Sequence, residues 1–441
     1  MAVAVRTGSR VLVEQLPGRA SPTDVLRACT GAGALVLEDG TGRGWSYVAP
    51  APRAVLARRE PEGAFAAART LLARAPAERP EGAPPFYGGI AGSFGYDLAR
   101  GLEALPDHTR DDLRLPVLHL HLVDELLAFD HAHGVVLACA PSAAGIRRLA
   151  ALHASAVPVP TRALDGGRLE HLPFARYAPL AERVLAHIHE GDIYQANLTH
   201  RTSAGCDDPV ELYARLREQA PVPYGIYLDG GSFRLVGASP ETFLRTRADG
   251  VLETRPIKGT APRADDPALD AALAAGLAAS AKDRAENTMI VDLARNDLGR
   301  VCAPGSVRVP ELCAVEAHPT VHQMVSTVEG RLRPGVDVLA AVAAAFPPGS
   351  MTGCPKVRAM TIIEQLEEVR RGPYAGAFGW VTADGACDLA VVIRTAVVRD
   401  GRAYLHVGGA IVADSDARGE YDESLLKART VARALGATLD A

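Results

Sequence analysis

The stretch Arg255-Pro-Ile-Lys-Gly-Thr-Ala-Pro-Arg263 carries the side chain best suited to do chemistry, Lys258. An amine attacks an electrophile only when it is unprotonated, and apolar or cationic neighbours lower its pKa. Ile257, two prolines and the flanking Arg255 and Arg263 supply both kinds of neighbour. The same residues would also suit a lysine that grips a phosphate or carboxylate from a Gly-Thr turn, so the stretch alone leaves two roles open. Several acids accompany it. Glu241 in "GASPETFL" follows a proline in a strand-turn-strand setting, Glu286 stands beside Asp283 and Arg284 in a helical run, and Glu423 precedes Lys427 by one helical turn. Singly, each is the kind of residue that faces solvent, and the last two read as an exposed helical ion pair. Arg394 interrupts the apolar run "LAVVIRTAVV", where a cation needs an anion, either a buried structural partner or a ligand carboxylate. Gly408 and Gly409 in "HVGGAIV" permit close backbone approach nearby. Together these residues describe a cleft that binds an anion and a metal.

The elements that must hold them are mixed. At 441 residues, with 48% hydrophobic and 22% charged residues, the chain is long enough for a large folded core. Its net charge of −5 supplies no basic field, which argues against a nucleic-acid partner. The seven cysteines are scattered singly without a Cys-x-x-Cys pair, as expected of a reducing cytoplasm and not of a zinc site or disulfide framework. The opening residues 1–16 lack a signal-peptide core, and charges interrupt every apolar run before membrane-spanning length. Residues 1 to about 165 mix short strands ("GALVLED", "LHLHLVDELLAF", "GVVLACA") with a helix near 63–75, and "PVPTRALDGGRLEHLPF" reads as a linker. Beyond it, Ser280 and Asp283 have capping-box spacing at the start of a helix carrying Glu286. Pro355 and Gly372 bracket a second helix. Residues 378–416 read as a three-stranded antiparallel meander with Asp-Gly turns at 384–385 and 400–401. A closing helix puts Tyr421, Leu425, Ala428, Ala432 and Leu435 on one stripe. The Gly-rich run at 88–97 lacks both nucleotide-loop fingerprints and reads as close strand packing. Strands and helices without a regular strand–helix–strand beat make the fold α+β.

Ordered blocks of this sequence also resemble a known family. "PIKGT", "KDRAENTMIVDLARNDLGRV", "FPPGSMTGCPKVRAMTIIEQLE", "RRGPYAGAFGW" and "GGAIVADSDARGEYDESLLKA" are similar to successive blocks of the chorismate-utilising enzymes. That family includes anthranilate synthase component I, aminodeoxychorismate synthase component I, and the isochorismate and salicylate synthases. The likeness runs in order from about Gly191 to Arg433, with a fainter echo in "VLEDGTGRGWSY" and "YGGIAGSFGYDLARGLE". It implies one large two-layered α+β fold of stacked antiparallel sheets with outer helices. Residues 1–165 would form its N-terminal part and 166–441 the chorismate-binding catalytic region.

Position by position, the resemblance implies that Glu286 and Glu423 hold Mg²⁺ against the substrate's ring carboxylate. Arg394 and Tyr374 would grip the enolpyruvyl carboxylate with backbone near Gly408 and Gly409. Lys427 would support a carboxylate near the metal, Gly259 and Thr260 would line the ring, and Glu241 would protonate the leaving C4 hydroxyl. Isochorismate and salicylate synthases carry a water-activating lysine where this chain has Gln195, which disfavours water as nucleophile. Anthranilate synthases usually read Pro-Ile-Ala-Gly-Thr, whereas the aminodeoxychorismate branch reads Pro-Ile-Lys-Gly-Thr, as here. The implied reaction is amination of chorismate to 4-amino-4-deoxychorismate through a covalent Lys258 intermediate. Because no cysteine sits in a Gly-x-Cys-x-Gly elbow, ammonia would come from a separate glutamine amidotransferase subunit. Anthranilate or 2-amino-2-deoxyisochorismate synthesis is the nearest alternative, and an inactive chorismate- or effector-binding subunit is one of another class. Three positions depart from the family pattern: Ala410 replaces a third glycine, Gln323 stands where anthranilate synthases place a histidine, and Asp39 replaces the serine of an effector segment.

Overall fold

A computed structural model describes residues 10–18, 20–247, 249–318 and 321–439, and every structural statement below refers to these residues. The first nine positions of the leader reading lie outside them. Among the described residues, no helix is long and apolar enough to cross a membrane.

Two antiparallel sheets make the inner layers. In order across the first lie strands Leu12–Leu16, Val135–Ala140, Leu126–Asp130, Trp45–Ala49, Leu35–Glu38, Tyr224–Asp229, Arg234–Ser239, Thr395–Arg399, Arg402–Ile411, Gln195–Gly205 and the short Gly353–Cys354. Across the second lie Ile257–Pro262, Val321–Gly330, Leu252–Arg255, Thr242–Thr246, Cys387–Val391, Ala377–Val381, Gly89–Phe94, Leu118–Val123 and Ala54–Arg58, with Arg308–Ala317 pairing beside Val321–Gly330. Strands from both halves of the chain thus share both sheets.

Apolar residues of the two sheets meet face to face, with Tyr47, Leu228 and Leu235 of the first against Phe378, Trp380 and Ala390 of the second. Helices cover the outer faces. Ala143–Ser155, Pro209–Gln219 and Ala417–Leu435 pack on the first sheet, and Ala64–Leu72, Ala281–Gly299 and Val338–Ala345 on the second. Each outer face is apolar on its inner side, so burial on both sides holds the sheets in the middle. The expected α+β fold of stacked sheets with outer helices is what the chain forms.

Several local readings change. The run 378–416 is not one meander. Ala377–Val381 and Cys387–Val391 form a hairpin in the second sheet, then the chain crosses over, and Thr395–Arg399 with Arg402–Ile411 form a hairpin in the first. Arg394 therefore lies in the crossover and not within a strand, at φ +49°. Apolar periodicity cannot reveal this, because the strands on either side are buried on both faces. "LHLHLVDELLAF" splits in the same way, Leu118–Val123 in one sheet and Leu126–Asp130 in the other. The helix after Pro355 ends at Leu366, six residues before Gly372. In between, Glu367 and Arg371 form a buried ion pair at 2.6 Å that no helical terminus requires. The Gly-rich run is a strand, as expected. A β-carbon at Gly92 would lie 2.1 Å from the His119 carbonyl oxygen, so only glycine lets those strands approach.

Candidate active site

Lys258 stands on the edge strand Ile257–Pro262, whose register against Val321–Gly330 shifts between Ile257 and Thr260. Such an irregularity redirects the side chain at the bulge. Gly259 makes it possible, with φ +82° and Asp283 only 2.9 Å from where a β-carbon would sit. The lysine points toward the helix Ala281–Gly299. That helix starts at Ser280, whose hydroxyl accepts from the Asp283 amide, and carries Glu286 one turn further on. Lys258 Nζ lies 3.8 Å from Glu286 Oε2, while Lys282 Nζ lies 4.0 Å from the other oxygen. Both separations exceed a hydrogen bond, so the Glu286 oxygens remain available to a further ligand.

The closing helix Ala417–Leu435, capped by Asp416, brings Glu420, Glu423 and Lys427 to the same place. Lys427 Nζ bridges Glu423 Oε1 at 2.8 Å and the Gly408 carbonyl at 2.9 Å. Although partial desolvation opposes it, the positive field of Lys427, then of Lys258 and Lys282, holds the carboxyl of the largely exposed Glu423 below its usual range. Gly409 presses close, since a β-carbon there would meet Glu420 Oε2 at 2.8 Å. Burial is the main force lowering the Lys258 pKa, reinforced by Lys427 and opposed by Glu286, Glu241 and Glu423.

Glu241 sits in the turn between strands Arg234–Ser239 and Thr242–Thr246, buried. Burial pushes its carboxyl up to about 7, although Ser350, Lys258, the Ile257 backbone and Arg394 all favour its charged form. Desolvation wins there, because a buried carboxylate loses more hydration than those neighbours restore. The Arg394 carbonyl accepts from the Ala238 amide at 3.2 Å, but its guanidinium makes no hydrogen bond or ion pair among the described residues, and burial lowers its pKa against the attraction of Glu241. A half-buried guanidinium without a partner is a place for an anion.

Tyr374 is held from behind. Arg371 donates to the carbonyls of Met351 and Asn197, each at 2.7 Å, and Glu367 accepts from the Thr199 amide and hydroxyl. The Tyr374 ring stacks on His406 at 5.3 Å, with its hydroxyl near Asn197 and Glu241 within electrostatic reach. Gln195 is fully buried with both polar atoms of its amide unpaired. It shares a strand face with Asn197, two residues along.

Electrostatic coupling links Lys258 to Glu286, Lys427, Glu241 and Glu423, and Glu241 to Arg394 and Tyr374, with Gly408 and Gly409 beside Lys427. Thr260 is exposed beyond the bulge, paired in register with Gln323. Asn197, Ser350 and Glu420 were not singled out from sequence, and Asp283 only as part of a helix cap. Glu420 was findable, since it stands one helical turn before Glu423, whereas Ser350 lies in a 3-10 turn with no sequence signal. Ala410 pairs with Asn197 and sits partly exposed at the strand end.

The chain belongs to the chorismate-binding enzyme family, whose model matches residues 33–433. It is thus a chorismate-utilising enzyme. It is 41% identical over 349 residues to aminodeoxychorismate synthase component 1 of Salmonella typhimurium, covering 79% of this chain and 76% of that one. It is 40% identical over 418 residues to anthranilate synthase component 1 of Streptomyces coelicolor, covering 89% and 80%. Among solved structures, anthranilate synthase component I from Streptococcus pneumoniae superposes with a TM-score of 0.78 at 30% identity, covering 88% of this chain and 92% of that one. Overall identity does not separate the two activities; individual residues must.

Proposed function

We propose that the chain is the synthase component that aminates chorismate at C4, giving 4-amino-4-deoxychorismate, the precursor of 4-aminobenzoate. The observation that carries this reading is the pairing of Lys258 with Glu241. Burial drives both toward their neutral forms, an amine and a carboxylic acid. Those are the states needed for the amine to attack C2 while the acid protonates the departing C4 hydroxyl. The first displacement forms the Lys258–C2 bond, shifts the ring double bond and releases water. In the second, ammonia bonds to C4, Lys258 leaves C2 as a neutral amine, and the surplus proton on the new ammonium returns to Glu241. Two displacements leave the configuration at C4 unchanged and restore both side chains.

Arg394 and Tyr374 would take the enolpyruvyl carboxylate, with the amides of Gly408 and Gly409 beside them. Glu286 and Glu423 fit Mg²⁺, which binds through one or two carboxylates and keeps other positions for water or substrate. The Glu286 oxygens are uncommitted, and neighbouring lysines balance the acids. A bound ion would neutralise the ring carboxylate, and Lys427 fixes the Glu423 side of that position. Gln195, a neutral amide, has no basic nitrogen with which to activate water. The word "component" in the relatives' names supports a separate glutamine amidotransferase as the ammonia source.

The test is to incubate the chain with chorismate, Mg²⁺ and ammonium, add an aminodeoxychorismate lyase, and separate the products. 4-Aminobenzoate that depends on the lyase is expected. Anthranilate formed without the lyase would overturn the assignment at C4.

A further inference from the structure

A buried imidazole stands behind the site. His406 lies on the strand Arg402–Ile411, 7% exposed, with Nε2 enclosed and without a hydrogen-bond partner among the described residues. Across the sheet it pairs with Arg201, whose guanidinium is committed to Asp112 and lies over the Tyr404 ring at 5.2 Å. Burial, then the positive fields of Arg201 and Arg371, holds the imidazole well below its usual pKa and therefore neutral. Neither a charge nor an Nε2 hydrogen bond accounts for a histidine at this position. What it offers is a flat ring, and that ring lies against Tyr374 with the planes 18° apart and the centroids at 5.3 Å.

Tyr374 needs such a neighbour. Its amide donates to the Arg371 carbonyl at 3.2 Å across Gly372 (φ +60°), which fixes the backbone and leaves the side-chain torsions free. The Arg371 guanidinium stands 6.0 Å from the Tyr374 centroid, but it is bound to Glu367 at 2.6 Å and lies closer to the Tyr96 ring, at 4.7 Å. We propose that His406 is the positioning residue for Tyr374: its imidazole, stacked on the phenol ring, fixes the hydroxyl where the enolpyruvyl carboxylate is gripped. The inference rests on the place given to Tyr374 in the reading above. Aromatic rings prefer defined relative orientations, so the stack restrains tilt as well as position. A hydroxyl displaced by ~1 Å loses most of a hydrogen bond to a carboxylate. Because that carboxylate is remote from the reacting carbons, the grip serves substrate and transition state alike and belongs to KM and not to kcat.

Three substitutions separate a flat ring from bulk. His406→Phe keeps the flat face, His406→Leu keeps volume without one, and His406→Ala keeps neither. Steady-state loss of chorismate, with Mg²⁺ and ammonium present, gives KM and kcat for each, and calorimetric scans give Tm. His406→Leu and His406→Ala should raise the chorismate KM by about tenfold with kcat within about threefold of wild type, while His406→Phe stays within about threefold in both. If His406→Ala fails to fold, the comparison of leucine with phenylalanine decides. In a Tyr374→Phe background, which lacks the hydroxyl, His406→Leu should change KM by less than about twofold. An unchanged KM in folded His406→Leu, with only Tm lowered, overturns the proposal. So does a phenylalanine variant as impaired as the leucine one, or an undiminished leucine effect in the Tyr374→Phe background. Loss of chorismate is read whichever carbon is aminated. A wild-type chain that makes anthranilate therefore overturns the assignment at C4, and the same KM ratios still decide the role of His406.

Discussion

Replacing Arg394 by methionine should improve the empty protein while crippling the enzyme. The guanidinium is half-buried, has no hydrogen-bonding partner among the described residues, and is disfavoured by burial. An unsatisfied buried polar group costs about 1–3 kcal/mol, more if charged, and partial exposure reduces that to ~1–2 kcal/mol here. Methionine fills similar volume without charge, so Arg394→Met should stabilise the ligand-free chain by about that amount. In a chain of 441 residues this amounts to about 1 °C per kcal/mol in Tm, readable by scanning calorimetry without chorismate. The backbone at φ +49° is equally strained with either side chain, so it drops out of the difference. With substrate the sign reverses. Losing a charged hydrogen-bonded partner costs ~2–5 kcal/mol, or from about thirtyfold to a few thousandfold in kcat/KM. A lower Tm together with an unaltered KM would show that Arg394 serves a partner inside the protein and would refute the reasoning.

Because Glu241 must start protonated and its carboxyl titrates at about 7, kcat/KM should fall above neutrality while Lys258 ionisation limits it at lower pH. Glu241→Gln should abolish the alkaline decline and lower kcat by ~100-fold or more in pH-profile kinetics. Gly408→Ala and Gly409→Ala should fail differently. The first drives a β-carbon to 2.2 Å from the Leu198 carbonyl, so ~1–3 kcal/mol of stability should be lost on thermal unfolding. The second meets the movable Glu420 side chain, so chorismate KM should rise with little change in Tm. Burial depresses the pKa values of His119 to about 4, His121 to about 3 and His200 to about 4. The folded state therefore binds fewer protons than the unfolded one below the unfolded pKa of about 6.5. Stability should be complete above pH ~7 and fall by about 1.4 kcal/mol per pH unit for each histidine as pH drops toward 5. A double His119→Leu, His121→Leu variant should flatten a Tm-against-pH curve in that interval.

What the sequence reveals well is what local patterning controls. The cap at Ser280, the stripe of the closing helix and the tight strand at Gly92 follow from short-range rules and appear as expected. The crossing at Arg394 does not, because consecutive apolar strands look alike whether they pair with each other or with different sheets. Within the site, Lys258 is conspicuous for its neighbours in the chain. Its partners Glu286 and Glu423 look like ordinary helical acids until tertiary packing brings two helices to one strand bulge. Asn197, Ser350 and the raised Glu241 carboxyl depend wholly on burial created by distant segments. Thr260 illustrates the converse, since the bulge that turns Lys258 inward leaves it exposed.

The most direct measurement is intact-mass analysis of the protein mixed with chorismate and Mg²⁺ in the absence of ammonia, set beside Lys258→Ala. Lys258 as nucleophile predicts a mass gain of chorismate less one water in the wild type. It also predicts that the gain maps to the peptide containing residue 258, disappears in the variant, and is discharged when ammonia is added. Undiminished 4-amino-4-deoxychorismate formation by Lys258→Ala, with no adduct in either protein, would contradict it.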